Sequence, residues 1–276
     1  MRVAFVGHLC IDRNVIRGET ETFYGGGVVH GAVTMTRLGA QATVLTKCAE
    51  ADRGNWDSLG NTGVEVLFLP SRESTSIRNV YPSDNPDDRQ SSLISHADPF
   101  SAPDIERLDA DVVHVNPLWY GEFPPELLPL LRSRAACLAG DAQGFLRHAG
   151  EDGRMEYRDL AAKAGVLTLF DVFKVDSKEA LILTGHEDVR LAARAVRELG
   201  PRTVLLTHRG GVCVYDGGEL HESPFTSFTL EGRTGRGDTC TAAFLFALRR
   251  MGLREAAAFA AEVTSRKMQY RGPYRG

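Results

Sequence analysis

The sequence predicts an α/β fold built on a mainly parallel sheet. Three observations carry that expectation. Short apolar runs rich in β-branched residues recur along the chain, helical patterns stand between several of them, and the runs are nearly continuous rather than alternating, as in strands covered on both faces. With 276 residues, 43% of them hydrophobic, the chain can bury a sizeable core.

In chain order, RVAFVG (2–7) is the first strand. Residues 12–24 are polar and lack a helical period; they end at the glycine cluster YGGGVVHGAVTMTRLGA (24–40), which opens a helix over 28–38. ATVLTK (42–47) and VEVLFL (64–69) read as the next strands of the main sheet. A second polar stretch, 74–97, holds the alternating TSIRNVY and the run RQSSLISHA, divided by the turn-rich SDNPDD. Together 12–24 and 74–97 are expected to form a small sheet outside the main layer, either a flap over a site or an oligomer surface.

DVVHV (111–115) and ACLAGD (136–141) are strands, with a helix over 125–132 between them. VLTLFDV (166–172) is expected as another strand, followed by helices over 177–184 and 189–199 and by the strand TVLLT (203–207). GGVCVYDGGELHESPF reads as a hairpin turning at Asp216-Gly217-Gly218. Helical patterns over 239–251 and 254–269 follow, and no internal repeat or low-complexity segment occurs.

The formal charge of -4 gives no general drive toward nucleic acid or anionic membranes. MRVAFVGHLCID has too short an apolar run for a signal peptide, and no later segment approaches membrane-spanning length, so the expectation is a soluble cytoplasmic protein. The five cysteines are scattered, without a C-x-x-C pair, which argues for buried thiols rather than disulfides or a zinc site. Neither G-x-S-x-G, H-E-x-x-H nor a phosphate-loop lysine motif is present, and Gly25 and Gly27 lack the third glycine of a dinucleotide fingerprint, His30 standing there instead.

The stretch GRTGRGDTCTAAF (232–244) carries the chemistry. Its glycines let backbone N–H groups face a common point, an arrangement that holds anions. An acid at a helix start is also favourable as a simple cap. From the residues alone, Asp238 is as much a capping aspartate as a catalytic one.

TGRGD (234–238) resembles the second signature, usually DTxGAGD, of the ribokinase or pfkB family of small-molecule kinases. GGGVVHGAVTMTRLGA is similar to the first, usually GGxxxNxAxxxxxLG, and KVDSKEALILTG (174–185) to the family's NxxExxxLTG. The resemblance implies a ribokinase-like three-layer α/β/α core with a small β lid, as one kinase domain over 1–276 with lid strands from about 12–24 and 74–97. It implies Asp238 as the base that takes the proton of an acceptor hydroxyl, and Gly235, Arg236 and Gly237 as an anion hole. Asp12, Gly25, Gly26 and His30 fall at acceptor positions, and Asp176, Glu179, Thr207 and Gly210 on the side of an ATP donor with Mg²⁺, Glu179 acting on the metal through water.

The chain departs from the family pattern at His30, Asp176 and Arg236, and THRGG (207–211) is one residue shorter than the family's turn. GDAQGFLR (140–147) resembles the DxQxxxR segment of myo-inositol kinase-like members, and ISHADPF and KMQYRGPY also look like that branch. Asp141 and Gln143 are therefore expected at the substrate, and a polyol or sugar is favoured over a nucleoside. Alternatives are a nucleoside kinase, for which Phe23, Tyr24, Trp119 and Tyr120 are the available aromatics, and a non-catalytic nucleotide or metabolite sensor. The exposed flap edge could also pair two copies into a homodimer.

Overall fold

The computed structural model describes residues 1–83, 89–226 and 232–276. Numbered along the chain, its strands form a nine-stranded sheet in the order β15 (Leu220–Pro224), β14 (Gly211–Tyr215), β13 (Thr203–His208), β12 (Val172–Asp176), β9 (Cys137–Asp141), β8 (Val112–Val115), β1 (Arg2–Val6), β4 (Gln41–Cys48), β5 (Glu65–Pro70). From β13 to β5 every neighbour is parallel; β14 and β15 add an antiparallel edge.

Successive residues of β1 point into two different cores. Val3 and Phe5 join the face covered by α1 (Gly27–Arg37) and, later in the chain, by the pair Arg236–Leu248 and Leu253–Lys267. Ala4 and Val6 join the opposite face, covered by α2 (Leu128–Arg134), α3 (Ser177–Thr184) and α4 (Val189–Glu198). The two late helices are α5 (Arg236–Leu248) and α6 (Leu253–Lys267). The result is the ribokinase-like three-layer arrangement, and all five cysteines are buried and free.

A separate four-stranded sheet, ordered β3 (Glu19–Gly25), β2 (Cys10–Ile16), β6 (Thr75–Tyr81), β7 (Gln90–Ser95), is the lid. Most of its SDNPDD turn lies outside the described residues. The hairpin of β10 (Arg147–Ala149) and β11 (Met155–Tyr157) adjoins it, with Ser92 bridged to Arg154. No helix among the described residues is long and apolar enough to cross a membrane.

Three boundaries differ from expectation. Residues 166–172 are not one strand: a helical turn, Lys163–Leu167, precedes β12, which begins only at Val172. An apolar run of this length suits a buried turn as well as a strand, and Leu167 and Phe170 fill the second core either way. The helix expected at 125 starts as a tight turn, Pro125–Leu127, before α2 proper, because prolines occupy its start. The helix expected at 239 starts at Arg236, behind Gly235 at φ 77°, which puts Asp238 in its first turn.

Candidate active site

Parallel strands deliver their following residues to one edge of the sheet, the usual place for a ligand crevice in open α/β folds. Here that edge collects Asn116 after β8, Asp141 at the end of β9, Lys174 and Asp176 in β12 and Thr207 in β13. The N-termini of α1 and α5 meet there as well: a Cβ added to Gly27 would lie 2.6 Å from Asp238 Oδ1 and 2.8 Å from Asn116 Oδ1. Two positive helix ends thus converge on one carboxylate.

Asp238 Oδ1 accepts from Asn116 Nδ2 at 2.9 Å, and Asn116 Oδ1 accepts from Gln143 Nε2 at 2.7 Å. Gln143 N–H donates to Asp141 Oδ1 (3.1 Å), which also faces Lys174 Nζ at 3.2 Å. Lys174 reaches Glu179 Oε2 at 3.5 Å, and Arg147 reaches Glu179 Oε1 at 3.4 Å. One polar chain therefore runs from Asp238 to Arg147 through the buried side chains of Asp141, Lys174 and Glu179.

Burial works to raise the Asp238 carboxyl, but His30, the Asn116 amide, Lys174 and His114 outweigh it and hold it below its usual value. His30 and His114 are pushed by burial to about 4 and are neutral near pH 7, so at that pH the Asn116 bond and the Lys174 ammonium do the holding. Burial raises Glu179 to about 7, with Asp176 adding to it and Lys174 opposing it.

The loop before α5 is tightly enclosed. A Cβ at Gly235 would meet the His30 ring at 2.1 Å, and one at Gly237 would meet Lys174 Nζ at 3.3 Å. The N–H groups of Gly237 and Asp238 fall in the first helical turn, without an intrahelical acceptor. That of Arg236 donates to Arg233 O at 3.1 Å, and the Arg236 guanidinium lies 5.7 Å from the Phe225 ring centre.

On the lid side, Asp12 sits in β2 opposite Phe23, and Gly25 approaches its Oδ2. Burial raises Asp12 to about 6 despite Cys10, Arg89 and Asn79. Gly26 has φ 116° and no room for a Cβ against His8 O, so only glycine fits where β3 hands over to α1.

The sequence-predicted residues separate into groups. Asp238, Asp141, Gln143 and Glu179 belong to one bonded chain, and Asp176 joins it by a reciprocal capping box with Glu179. His30 packs beneath Gly235. Thr207 pairs with Asp176 in the sheet and Gly210 sits in the next turn, neither bonded to Asp238 among the described residues. Asn116, Gly27, Lys174 and Arg147 were missed. Asn116 and Lys174 carried a readable signal, both standing at or just beyond the C-terminal end of a predicted parallel strand.

The sequence model for pfkB family carbohydrate kinases matches residues 2–276. The chain belongs to that family. As a pfkB family carbohydrate kinase it is a phosphotransferase with an alcohol group as acceptor. Among solved structures, a pyrophosphate-dependent kinase in the ribokinase family, complexed with a pyrophosphate analog and myo-inositol, is 47% identical with a TM-score of 0.93, covering 99% of this chain and 97% of its own. A second, a myo-inositol-1 kinase converted into a myo-inositol-3 kinase by replacing an asparagine and a serine with leucine, is 46% identical with a TM-score of 0.91, covering 99% and 95%. A curated relative, the cytidine kinase of Thermococcus kodakarensis, is 28% identical over 253 residues, 87% of this chain and 86% of its own length.

Proposed function

We propose that this pfkB family kinase transfers a phosphoryl group from pyrophosphate to a ring hydroxyl of myo-inositol. The observation that carries the reading is the line of Asn116, Asp238, Gly237 and Lys174, which sets a carboxylate, the open N–H groups of the first helical turn and a buried ammonium side by side. The acceptor hydroxyl lies between Asp238 and the N–H groups of Gly235 and Gly237; the Arg236 N–H, expected in the same hole, is instead turned to Arg233 O. Asp238 takes its proton as its oxygen bonds to phosphorus, the bridging P–O bond breaks, and orthophosphate leaves. Such transfer is mainly alignment and charge stabilisation.

Pyrophosphate suits the donor flank better than ATP in this reading. Lys174 brings a buried cation to Gly237, Arg147 stands behind it on Glu179, and Arg236 adds a charge at the margin of the loop, so recognition can rest on phosphate oxygens alone. The neighbours described as pyrophosphate-dependent are 46–48% identical to this chain. Magnesium fits the carboxylates present: Asp141 Oδ2 is buried without a partner among the described residues. Asp141 would hold the ion, with Glu179 acting on it through water, and it would offset the charge of the donor.

On the acceptor side, Asp12, Gly25 and Gly26 line the pocket under the lid. Asn79 accepts from Ser91 Oγ at 2.7 Å and donates to Asn14 at 3.0 Å. That asparagine and serine are our candidates for the choice of ring hydroxyl, since those two residue types set it in the related inositol kinase. The aromatics available for a nucleobase are largely engaged: Trp119 is buried, Tyr24 packs edge-on to Trp56, and Tyr120 stacks on His148 at 4.1 Å. The lid edge β3, exposed along its length, is where two copies would pair if a homodimer forms.

The test is orthophosphate or ADP release across pyrophosphate and ATP, with inositols, sugars and cytidine as acceptors. The reading expects release only with pyrophosphate and a cyclitol. Release with cytidine and ATP would replace it with the nucleoside kinase, and binding of donor without any release would favour a sensor.

A further inference from the structure

Lys267 ends α6 and is completely buried. Its ammonium donates to two backbone carbonyls, those of Gly232 and Thr234, in the loop that leads into Gly235 and α5. No carboxylate forms an ion pair with it among the described residues; the carboxylate that bears on it is Asp238, which raises its pKa while burial lowers it to about 8. It is charged at neutral pH.

A buried ammonium without an ion-pair partner is costly, and an apolar side chain of similar length would fill the same space without that penalty. What the ammonium adds is direction. The Thr234 carbonyl and the Gly235 N–H belong to one planar trans peptide and point opposite ways. Holding the carbonyl toward α6 turns the Gly235 N–H away from it, and the Gly232 carbonyl fixes the Arg233 N–H in the same manner. His30 packs on the other side of Gly235, so the loop is clamped from α1 and α6 together.

We propose that Lys267 is a positioning residue that acts as a built-in cation, orienting the Gly232–Gly235 loop for the transferred phosphoryl group. The proposal rests on the anion hole of the function proposed above and names a further residue for it. It makes the enzyme independent of added monovalent cations, because the site between the two carbonyls already holds a positive charge.

The test compares the full chain with Lys267→Met, which fills the space without charge, and Lys267→Ala, which vacates it. With pyrophosphate and myo-inositol, both variants are expected to stay folded at the assay temperature, Lys267→Ala melting lower for the space it vacates, and to lose turnover by roughly 10²- to 10³-fold, the loss typical of one anion-hole donor. KM for myo-inositol should move little. Ammonium or potassium should restore turnover to Lys267→Ala, leave Lys267→Met unchanged and leave the wild type unaffected. Wild-type turnover in Lys267→Met would overturn the proposal. So would a loss in Lys267→Ala that no cation restores, or unfolding of both variants, which would assign the ammonium to the core alone.

A wild type inactive with every donor and acceptor would defeat the phosphoryl-transfer reading instead. Pyrophosphate affinity by calorimetry then decides this one: weaker in both variants and recovered by ammonium in Lys267→Ala supports it, and equal affinity overturns it.

Discussion

Asn116 Nδ2 donates to Asp238 Oδ1 across 2.9 Å, joining residues 122 positions apart in the chain. The bond fixes the carboxylate proposed to face the acceptor and, with Lys174, holds its pKa below the usual carboxylate range. Asn116→Ala is expected to lower kcat by about 10- to 100-fold, within the range for a misplaced proton acceptor. Asp238 must be ionised to act, and losing the amide lets its pKa rise. The acidic limb of the kcat/KM profile therefore moves to higher pH in the variant. An unmoved limb would separate Asn116 from the base.

Asp12 titrates near 6 because burial under the lid disfavours its charge. As the pH falls through that value the carboxylate gains a proton and loses acceptor capacity toward the substrate hydroxyl proposed to bond it. KM for the acceptor is expected to rise below about pH 6 while kcat changes less. Asp12→Asn should raise KM at all pH values and flatten that dependence; initial rates against acceptor concentration from pH 5 to 8 would show it.

Lys174 lies between the buried carboxylates of Asp141 and Glu179. Lys174→Met leaves both without their ammonium and is expected to cost about 3 kcal/mol, the scale for breaking a buried ion pair from one side. Adding Asp141→Asn and Glu179→Gln removes the stranded charges. Denaturant unfolding should show stability recovering in the triple variant, while pyrophosphate use stays lost. Recovery of both would make Lys174 a purely structural cation.

Gly235 combines a left-handed backbone with the His30 ring 2.1 Å from where a Cβ would stand. Gly235→Ala is expected to abolish measurable turnover by displacing the start of α5. His30→Ala in the same chain relieves the clash but not the backbone strain, so recovery should be partial. Full recovery would mean that contact with His30, and not φ, is what demands glycine there.

Much of this arrangement was legible in the sequence because it rests on local chemistry. The continuous apolar runs of β1, β4 and β13, the polar lid stretches and the glycines before α1 and α5 each follow from backbone and burial rules acting within a few residues. The polar line behind the base was legible only in part: Asp141, Gln143 and Glu179 stood in motifs, but their joining through Asn116 and Lys174 did not show. Nothing near Asn116 or Lys174 says that each will face a residue from a distant element, because that pairing is created by sheet order. Glu179 was expected at the donor side from its motif, but its burial was not, because that comes from Arg147 and Lys174, which arrive from β10 and β12. The β10–β11 hairpin went unread because its strands are three residues each, too short for a period to register.

The most direct test of the central claim is phosphorus NMR of the products formed from pyrophosphate and myo-inositol by the wild type and by Asp238→Asn. The account predicts one inositol monophosphate and one orthophosphate per pyrophosphate consumed, with both signals lost in the variant. Undiminished product from Asp238→Asn, or no inositol phosphate from the wild type while another acceptor is phosphorylated, would contradict it.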